Sequence, residues 1–484
     1  MNIHELINRD IHCTCGKVHR CDIEALEIGV NVLQNLPKHL QNYKKVLLVC
    51  DQNTYPLAGD PIREMLGSKL ESICLFHTEG YLVPNEQSVA VIEKQLTEET
   101  DFILGLGSGV INDLCKFVSF YHGMRCGIVA TAPSMDGYAS SGAAMILGGM
   151  KVTHTTHAPA LILGDVGLLQ TAPMEMVRGG YADIIGKYSA LSDWKLGQLI
   201  FGEHFCPFLY DVVKQTTDEV RSLAKPIAAR EETAIAKLME ALVLVGAAMA
   251  LFGSTRPASG SEHHFSHYFE ITGLIHDAPY FLHGVDVGYS TYVTALMRNR
   301  ILQLEQPVFS QEDPQLRKAC CEAVYGSFAG DVLAIQEKAG LYEMDLTGAY
   351  EAHWDEIRQI LLDARSPEEI LEMLTDVGMD YSEFEKLYGV DRDADLYSVA
   401  GRSELSGNHT DHNHGCVIAA SIDLDIIAVA AKRDDGIIRI KSAGFPEDVV
   451  DISLYTEPDD SRFGSSASLI AGMCAGFAKK GYKI

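Results

Sequence analysis

The chain is short of positive charge. Lys and Arg number 39 against 66 Asp and Glu, a formal net charge of -27. That balance excludes a surface built for nucleic acid or for anionic lipid, since both need basic side chains to meet their phosphates. It leaves room for a local basic pocket that takes a phosphorylated metabolite. Long apolar runs are also missing. The longest, ALVLVGAAMALFG at residues 241–253, is too short to cross a bilayer and reads as a buried helix, so no membrane insertion is expected. The opening MNIHELINRDIHCTCGKV has no apolar h-region, so no signal peptide is expected. Nor is there a disulfide framework: 12 Cys scattered irregularly over 484 residues fit a reduced cytoplasm.

A chain of this length predicts roughly two or three domains. The opening segment contains His12, Cys13, Cys15, His19 and Cys21. Their spacing matches no standard structural zinc pattern, and the loop is short for four tetrahedral ligands. The expectation there is a local β-turn with ordinary thiols. Strand and helix then alternate. KKVLLVCD (44–51) is a buried parallel strand ending on Asp51, where open α/β sheets place ligand contacts. ESICLFHTEG is a second strand, VAVIEKQLTEET (89–100) an amphipathic helix, and DFILGLGSG a third strand entering a glycine-rich turn.

In that turn Gly105, Gly107 and Gly109 alternate just before a helix. Glycines allow close backbone approach, and free N–H groups at a helix start can hold a pyrophosphate. The spacing is not the standard dinucleotide fingerprint, and a plain strand-to-helix connection reads the same way. A strand over 126–131 follows. It runs into TAPSMDGYASSG, which offers hydroxyls and the carboxylate of Asp136, although Ser/Gly-rich loops are also simply loops. AAMILGGMKVTHT is a hairpin on Gly148-Gly149, and ALILGDVGLL is the last strand.

Beyond residue 170 the pattern turns helical, with helices expected through 231–252, 282–304, 314–339 and 350–375. EMVRGGYADIIGKYSALSDW places Asp183 among apolar residues. A carboxylate there needs a partner: a cation it coordinates, or Lys187 one turn on. In GSEHHFSHYFE (260–270) Ser261 can cap a helix beginning at Glu262. His263 and His267, four apart, share a face of that helix, and His264 points elsewhere. His283 follows a Gly, Asp and Pro-rich loop. Two imidazoles at this spacing suit a metal, and core or surface histidines remain the plain alternative.

Taken together, GSGVIND, TAPSMDGYASSGAAM, GGYADIIGKYSALSDW, RPASGSEHHFSH and LHGVDVG resemble, in order, the sn-glycerol-1-phosphate dehydrogenase family. That family belongs to the dehydroquinate synthase-like and iron-alcohol-dehydrogenase-like superfamily. The resemblance implies an α/β fold with a Rossmann-like NAD(P)-binding domain over 1–168 and a helical metal and substrate domain over 169–378. It implies one divalent metal (Zn, Ni or Fe) on Asp183, His263 and His283. Asp136, Asp183 and His267 would meet the substrate, with Asp183 and His267 as the catalytic pair. NAD or NADP would contact Asp51, the turn Gly109, Val110, Ile111, Asn112 and Asp113, the run Thr131, Ala132, Pro133 and Ser134, and Ser140. The charge of Asp51 disfavours a 2′-phosphate. A homodimer acting on a small phosphorylated substrate, with no nucleic-acid partner, is expected by analogy. Free glycerol is the rival substrate, and Arg178, Lys187 and Arg256 are candidate phosphate partners.

After about residue 378 that pattern stops. GRSELSGNHTDHNHG (401–415) resembles the N-terminal part of a galactokinase-type GHMP kinase, which implies a partial α+β segment over 379–484. Arg402 would assist phosphoryl transfer, and Asn408, His409 and Asp411 would meet a sugar. Asn408 stands where that family usually has Glu, and His412 where it has Tyr. The alternation in IAASIDLDIIAVAAK and GIIRIKSAGF supplies the strands such a fold expects. FGSSASLIAG is read as the helix before a phosphate loop, so turnover of ATP is not expected.

Overall fold

The computed structural model describes residues 3–147, 150–276, 281–307, 309, 313–340 and 344–379, and beyond them 394–406, 418–431, 436–440, 448–451 and 466–480. It divides into two compact units, Met1–Asp380 and Tyr381–Ile484.

The first unit opens with a hairpin, β1 (Ile11–His12) and β2 (Val18–His19). Then come β3 (Ala25–Gly29), α1 (Leu36–His39), β4 (Val46–Asp51), α2 (Tyr55–Leu66), β5 (Leu70–Phe76) and α3 (Glu86–Glu93). β6 (Phe102–Gly107), α4 (Gly109–Tyr121) and β7 (Arg125–Ala130) follow. A second hairpin, β8 (Gly142–Leu147) with β9 (Met150–Thr155), leads to β10 (Leu161–Asp165).

Six of these strands form one sheet in the order β3-β10-β7-β6-β4-β5, and every pairing is parallel. β4 and β6 read as continuous apolar runs because both faces of the sheet are covered. From β4 the chain runs outward to β5, then crosses back to β6, β7 and β10. The strand order therefore reverses between β4 and β6, and the crevice beyond their C-terminal ends is where such sheets take ligands.

Three details depart from the sequence expectations. β3 is an added edge strand, pairing Ala25 with Leu161. β7 begins at Arg125, one residue before the expected strand. α3 runs Glu86–Glu93; it starts at Glu86 because the Asn85 side chain caps it by accepting from the Ser88 N–H.

Helices build the rest of this unit: α5 (Val166–Leu169), α6 (Met174–Phe201), α7 (Pro207–Arg221), α8 (Ala224–Ala228), α9 (Glu232–Phe252), α10 (Ser261–His276) and α11 (His283–Leu302). α9 is long and apolar enough to cross a membrane, but its side chains are largely buried against this unit, as in a core helix. The helix expected over 314–339 is two, α12 (Pro314–Tyr325) and α13 (Ala329–Ala339), parted where Gly326 takes a φ of 54°. The helix expected over 350–375 is three: α14 (Thr347–Ala352), α15 (Trp354–Asp363) and α16 (Pro367–Asp376). Ser366 and Glu369 form a capping box that starts α16 afresh.

The second unit pairs β11 (Ala394–Ser406) with β12 (Ile418–Ala431), and β13 (Ile437–Ile440) with β14 (Asp448–Asp451), both antiparallel. β12 and β13 fall where the alternating sequence predicts strands. Val450 packs there with Ile470, Ala471 and Cys474 of α17 (Ser466–Lys479). Arg402 lies on β11; Asn408, His409 and Asp411 lie outside the described residues.

Candidate active site

Two close helix contacts set the site. Gly180 of α6 sits against the loop after β7: a Cβ there would lie 1.9 Å from the Pro133 carbonyl oxygen. Gly284 of α11 meets the backbone of α6, and a Cβ there would lie 2.2 Å from Gly179 O. Only glycine permits either approach. The first brings Asp183, on the next turn of α6, under the 131–140 loop. The second brings His283, the first residue of α11, beside α6.

Asp183 is fully buried. Its Oδ2 accepts the Asp136 N–H at 2.9 Å, and its Oδ1 accepts from Lys187 Nζ at 2.7 Å. Lys187 Nζ also lies 2.6 Å from Asp136 Oδ2, so one buried ammonium bridges two carboxylates. Burial alone would raise the Asp183 carboxyl, but Lys187, His263 and His283 hold it below its ordinary value. Burial and the Asp183 charge raise Asp136. Burial works against the Lys187 charge, and the two carboxylates outweigh it, raising its pKa.

α10 begins at Ser261, one residue before the expected start. The Ser261 hydroxyl does not cap it; that oxygen lies 3.3 Å from Ser189 Oγ and accepts from Arg298 Nη2 at 3.2 Å. Glu262 does the work at this end, its Oε1 accepting from Gly260 N at 2.8 Å and from His263 Nδ1 at 2.7 Å. That leaves His263 Nε2 3.9 Å from Asp183 Oδ1. His267 and His283 complete a triangle of rings, with centroids 5.3 Å (His263–His283), 5.9 Å (His267–His283) and 6.2 Å (His263–His267) apart. His264 faces solvent.

Glu270 joins this group: it stands three residues after His267 on the same helix face, a signal the histidine spacing alone did not use. It pairs with Lys151 of β9, and its Oε1 lies 3.5 Å from His283 Nδ1. His267, Glu270 and His283 present ligand atoms within 4.8 Å of one another. Burial, then the Lys151 charge, press His267 far below its ordinary value. Asp286, one turn into α11, is pushed up to about 8 by burial and by the Glu270 charge. Glu262 Oε2 and Asp286 Oδ1 are buried with no hydrogen-bond partner. Three imidazoles gathered beside the ionised carboxylates of Asp183 and Glu270 suit a divalent cation.

The remaining expected residues lie along the sheet's C-terminal edge. Asp51 ends β4, and its Oδ1 accepts from the N–H groups of Asn53 and Thr54 at 2.7 and 2.9 Å. Gly109, Val110, Ile111, Asn112 and Asp113 form the first turn of α4 beyond β6. Asp51 and this turn thus flank the switch point. Thr131, Ala132, Pro133 and Ser134 follow β7. Lys116 Nζ reaches Ser140 Oγ at 3.2 Å and the Gly137 carbonyl at 3.0 Å, which pins the 131–140 loop to α4. Of the three candidate phosphate partners, Lys187 is the one whose charge meets the Asp136–Asp183 pair. Arg256 pairs with Glu203, and Arg178 Nε donates to Val377 O at 3.2 Å.

A family model described as iron-containing alcohol dehydrogenase matches residues 27–173, and a galactokinase galactose-binding signature matches residues 382–432. A glycerol-1-phosphate dehydrogenase [NAD(P)+] from Halalkalibacterium halodurans is 36% identical over 296 residues, covering 59% of this chain and 74% of the relative. One from Geobacillus thermodenitrificans is 30% identical over 372 residues, covering 75% and 86%. Among solved structures, a glycerol dehydrogenase from Schizosaccharomyces pombe covers 76% of this chain and 92% of its own, at 16% identity and a TM-score of 0.47.

Proposed function

This chain belongs to the glycerol-1-phosphate dehydrogenase family and is an NAD(P)-dependent dehydrogenase; from that premise we propose that it interconverts dihydroxyacetone phosphate and sn-glycerol 1-phosphate at a metal held by Asp183, His263 and His283. The observation that carries the reading is the placing of His263 Nε2 3.9 Å from Asp183 Oδ1, with the His283 and His267 rings grouped around that imidazole.

A Zn, Ni or Fe ion there would supply a Lewis acid for the substrate's C2 carbonyl oxygen, and NADH or NADPH would supply the hydride. The chain's own residues do the rest. Lys187 keeps Asp183 anionic although both side chains are fully buried. Glu262 fixes His263 with Nδ1 protonated and Nε2 free. Asp136 and His267 meet the substrate hydroxyl groups, with His267 placed to relay a proton. Asp51, the Gly109–Asp113 turn, Thr131–Ser134 and Ser140 receive the cofactor at the switch point. The test is turnover of dihydroxyacetone phosphate against dihydroxyacetone, with the product's stereochemistry assigned enzymatically. Exclusive sn-glycerol 3-phosphate, or preference for the unphosphorylated ketone, would reject the proposal.

The signature over 382–432 supports a second reading, of a sugar-binding segment using Arg402, Asn408, His409 and Asp411. Galactose should then raise the melting temperature of the full chain; a shift no larger than that given by mannose would remove this reading.

A further inference from the structure

A second set of metal-ligating side chains shares no residue with the dehydrogenase site. The turn between β1 and β2 carries Cys13 and Cys15, and β2 ends on His19. Cys206 stands immediately before α7. The ligand atoms of these four residues all lie within 4.8 Å of one another. Cys13 Sγ is 3.5 Å from Cys206 Sγ, and His19 Nε2 is 3.3 Å from both Cys15 Sγ and Cys206 Sγ. A tetrahedral zinc, with Zn–S about 2.3 Å and Zn–N about 2.0 Å, separates its ligand atoms by about 3.8 Å (sulfur to sulfur) and about 3.5 Å (sulfur to nitrogen). The four atoms therefore already stand close to the corners of a coordination tetrahedron.

The imidazole is also oriented for the role. His19 Nδ1 lies 2.8 Å from the Leu251 carbonyl oxygen near the end of α9. A carbonyl only accepts, so Nδ1 carries the proton and Nε2 turns its lone pair to the sulfurs. His19 and Cys206 are buried, at 1% and 0% exposure. The hairpin turn is closed by Cys13 N–H to Lys17 O and Gly16 N–H to Cys13 O, both at 3.1 Å, with Gly16 at a φ of +88°. That tight turn faces both of its thiols toward Cys206.

We propose that Cys13, Cys15, His19 and Cys206 bind a structural zinc ion. Four protein donors leave no open position for substrate. Thiolates favour zinc, so this site calls for zinc whichever of Zn, Ni or Fe the carboxylate and imidazole site holds. Binding releases the three thiol protons to solvent. The ion ties the N-terminal hairpin to the start of α7 and, through His19, to the end of α9. The local spacing hides this because the fourth ligand comes from 187 residues away.

The test uses the full chain, purified under argon without chelator. Metal content is measured in the wild type and in a His263→Ala/His283→Ala variant, which lacks the proposed dehydrogenase metal. Both should hold about one sulfur-bound zinc per chain, released by p-mercuribenzoate as three thiols react. X-ray absorption at the zinc edge should show three sulfurs and one nitrogen, a readout that needs no cysteine variant to fold. Cys206→Ser should lose this zinc. A zinc-free double variant, a zinc shell without sulfur, or a Cys13–Cys206 disulfide in the fresh protein would overturn the proposal.

Discussion

His263 donates from Nδ1 to the Glu262 carboxylate at 2.7 Å. Its neighbour in sequence thus sets which imidazole nitrogen is free. Burial works against the Glu262 charge, but the His263 hydrogen bond outweighs it and keeps the group ionised. The bond makes His263 a better ligand without Glu262 touching the metal. Glu262→Gln should therefore weaken metal affinity by about 10- to 100-fold while folding is kept. Titration of the metal-free protein with zinc or nickel measures this; unchanged affinity would mean the contact is only structural.

Lys187 bridging Asp136 and Asp183 gives a stability prediction. Lys187→Met keeps the length and removes the charge, leaving two buried carboxylates face to face. Breaking a buried ion pair this way costs about 3–5 kcal/mol. Urea unfolding followed by tryptophan fluorescence should show a loss of that order, since Trp194 lies buried on the same helix. A loss below about 1 kcal/mol would contradict the bridge.

The contact between Gly284 and Gly179 is backbone against backbone, so no side chain can yield. Gly284→Ala should part α6 from α11 and lower metal occupancy and turnover together. Gly330 on α13 meets nothing within 4 Å of an added Cβ, so Gly330→Ala should be neutral or stabilising by about 0.5–1 kcal/mol. Equal effects from the two substitutions would contradict the packing.

What was legible in the sequence was local. The alternation of strand and helix shows an α/β unit, and the spacing of His263 and His267 shows one helix face. Asp183 draws notice because a carboxylate in an apolar helix needs a cation. The partners that complete these sites come from far along the chain, where spacing is silent. Glu270 meets Lys151 across 119 positions, and Cys206 meets His19 across 187. β3 escapes because ALEIG is a short edge strand of mixed burial with no clean period. The break before α16 is a different case. Ser366, Pro367, Glu368 and Glu369 spell a capping box, and a continuous 350–375 helix follows only if amphipathic period is allowed to outweigh it.

Acid stability has a marked group in Asp218. Burial would raise it, but hydrogen bonds from Lys214 and Tyr188 and the charge of Arg365 hold it below its ordinary value. A depressed carboxylate stabilises the fold above its unfolded pKa, about 3.9, and that contribution is lost as pH falls through the folded value. Asp218→Asn should thus melt below the wild type at pH 7, and the gap should close as the pH falls below about 3.9. A gap that is constant with pH would place the effect in packing instead.

On the proposed function, Asp183, His263 and His283 hold a metal required for reduction of dihydroxyacetone phosphate. The most direct measurement is NADH oxidation at 340 nm with that substrate, before chelation, after chelation, and after adding zinc or nickel back. Chelator should remove the activity and metal restore it, with His263→Ala inactive even when metal is supplied. Full turnover by His263→Ala, or turnover indifferent to chelation in protein shown to be metal-free, would contradict it.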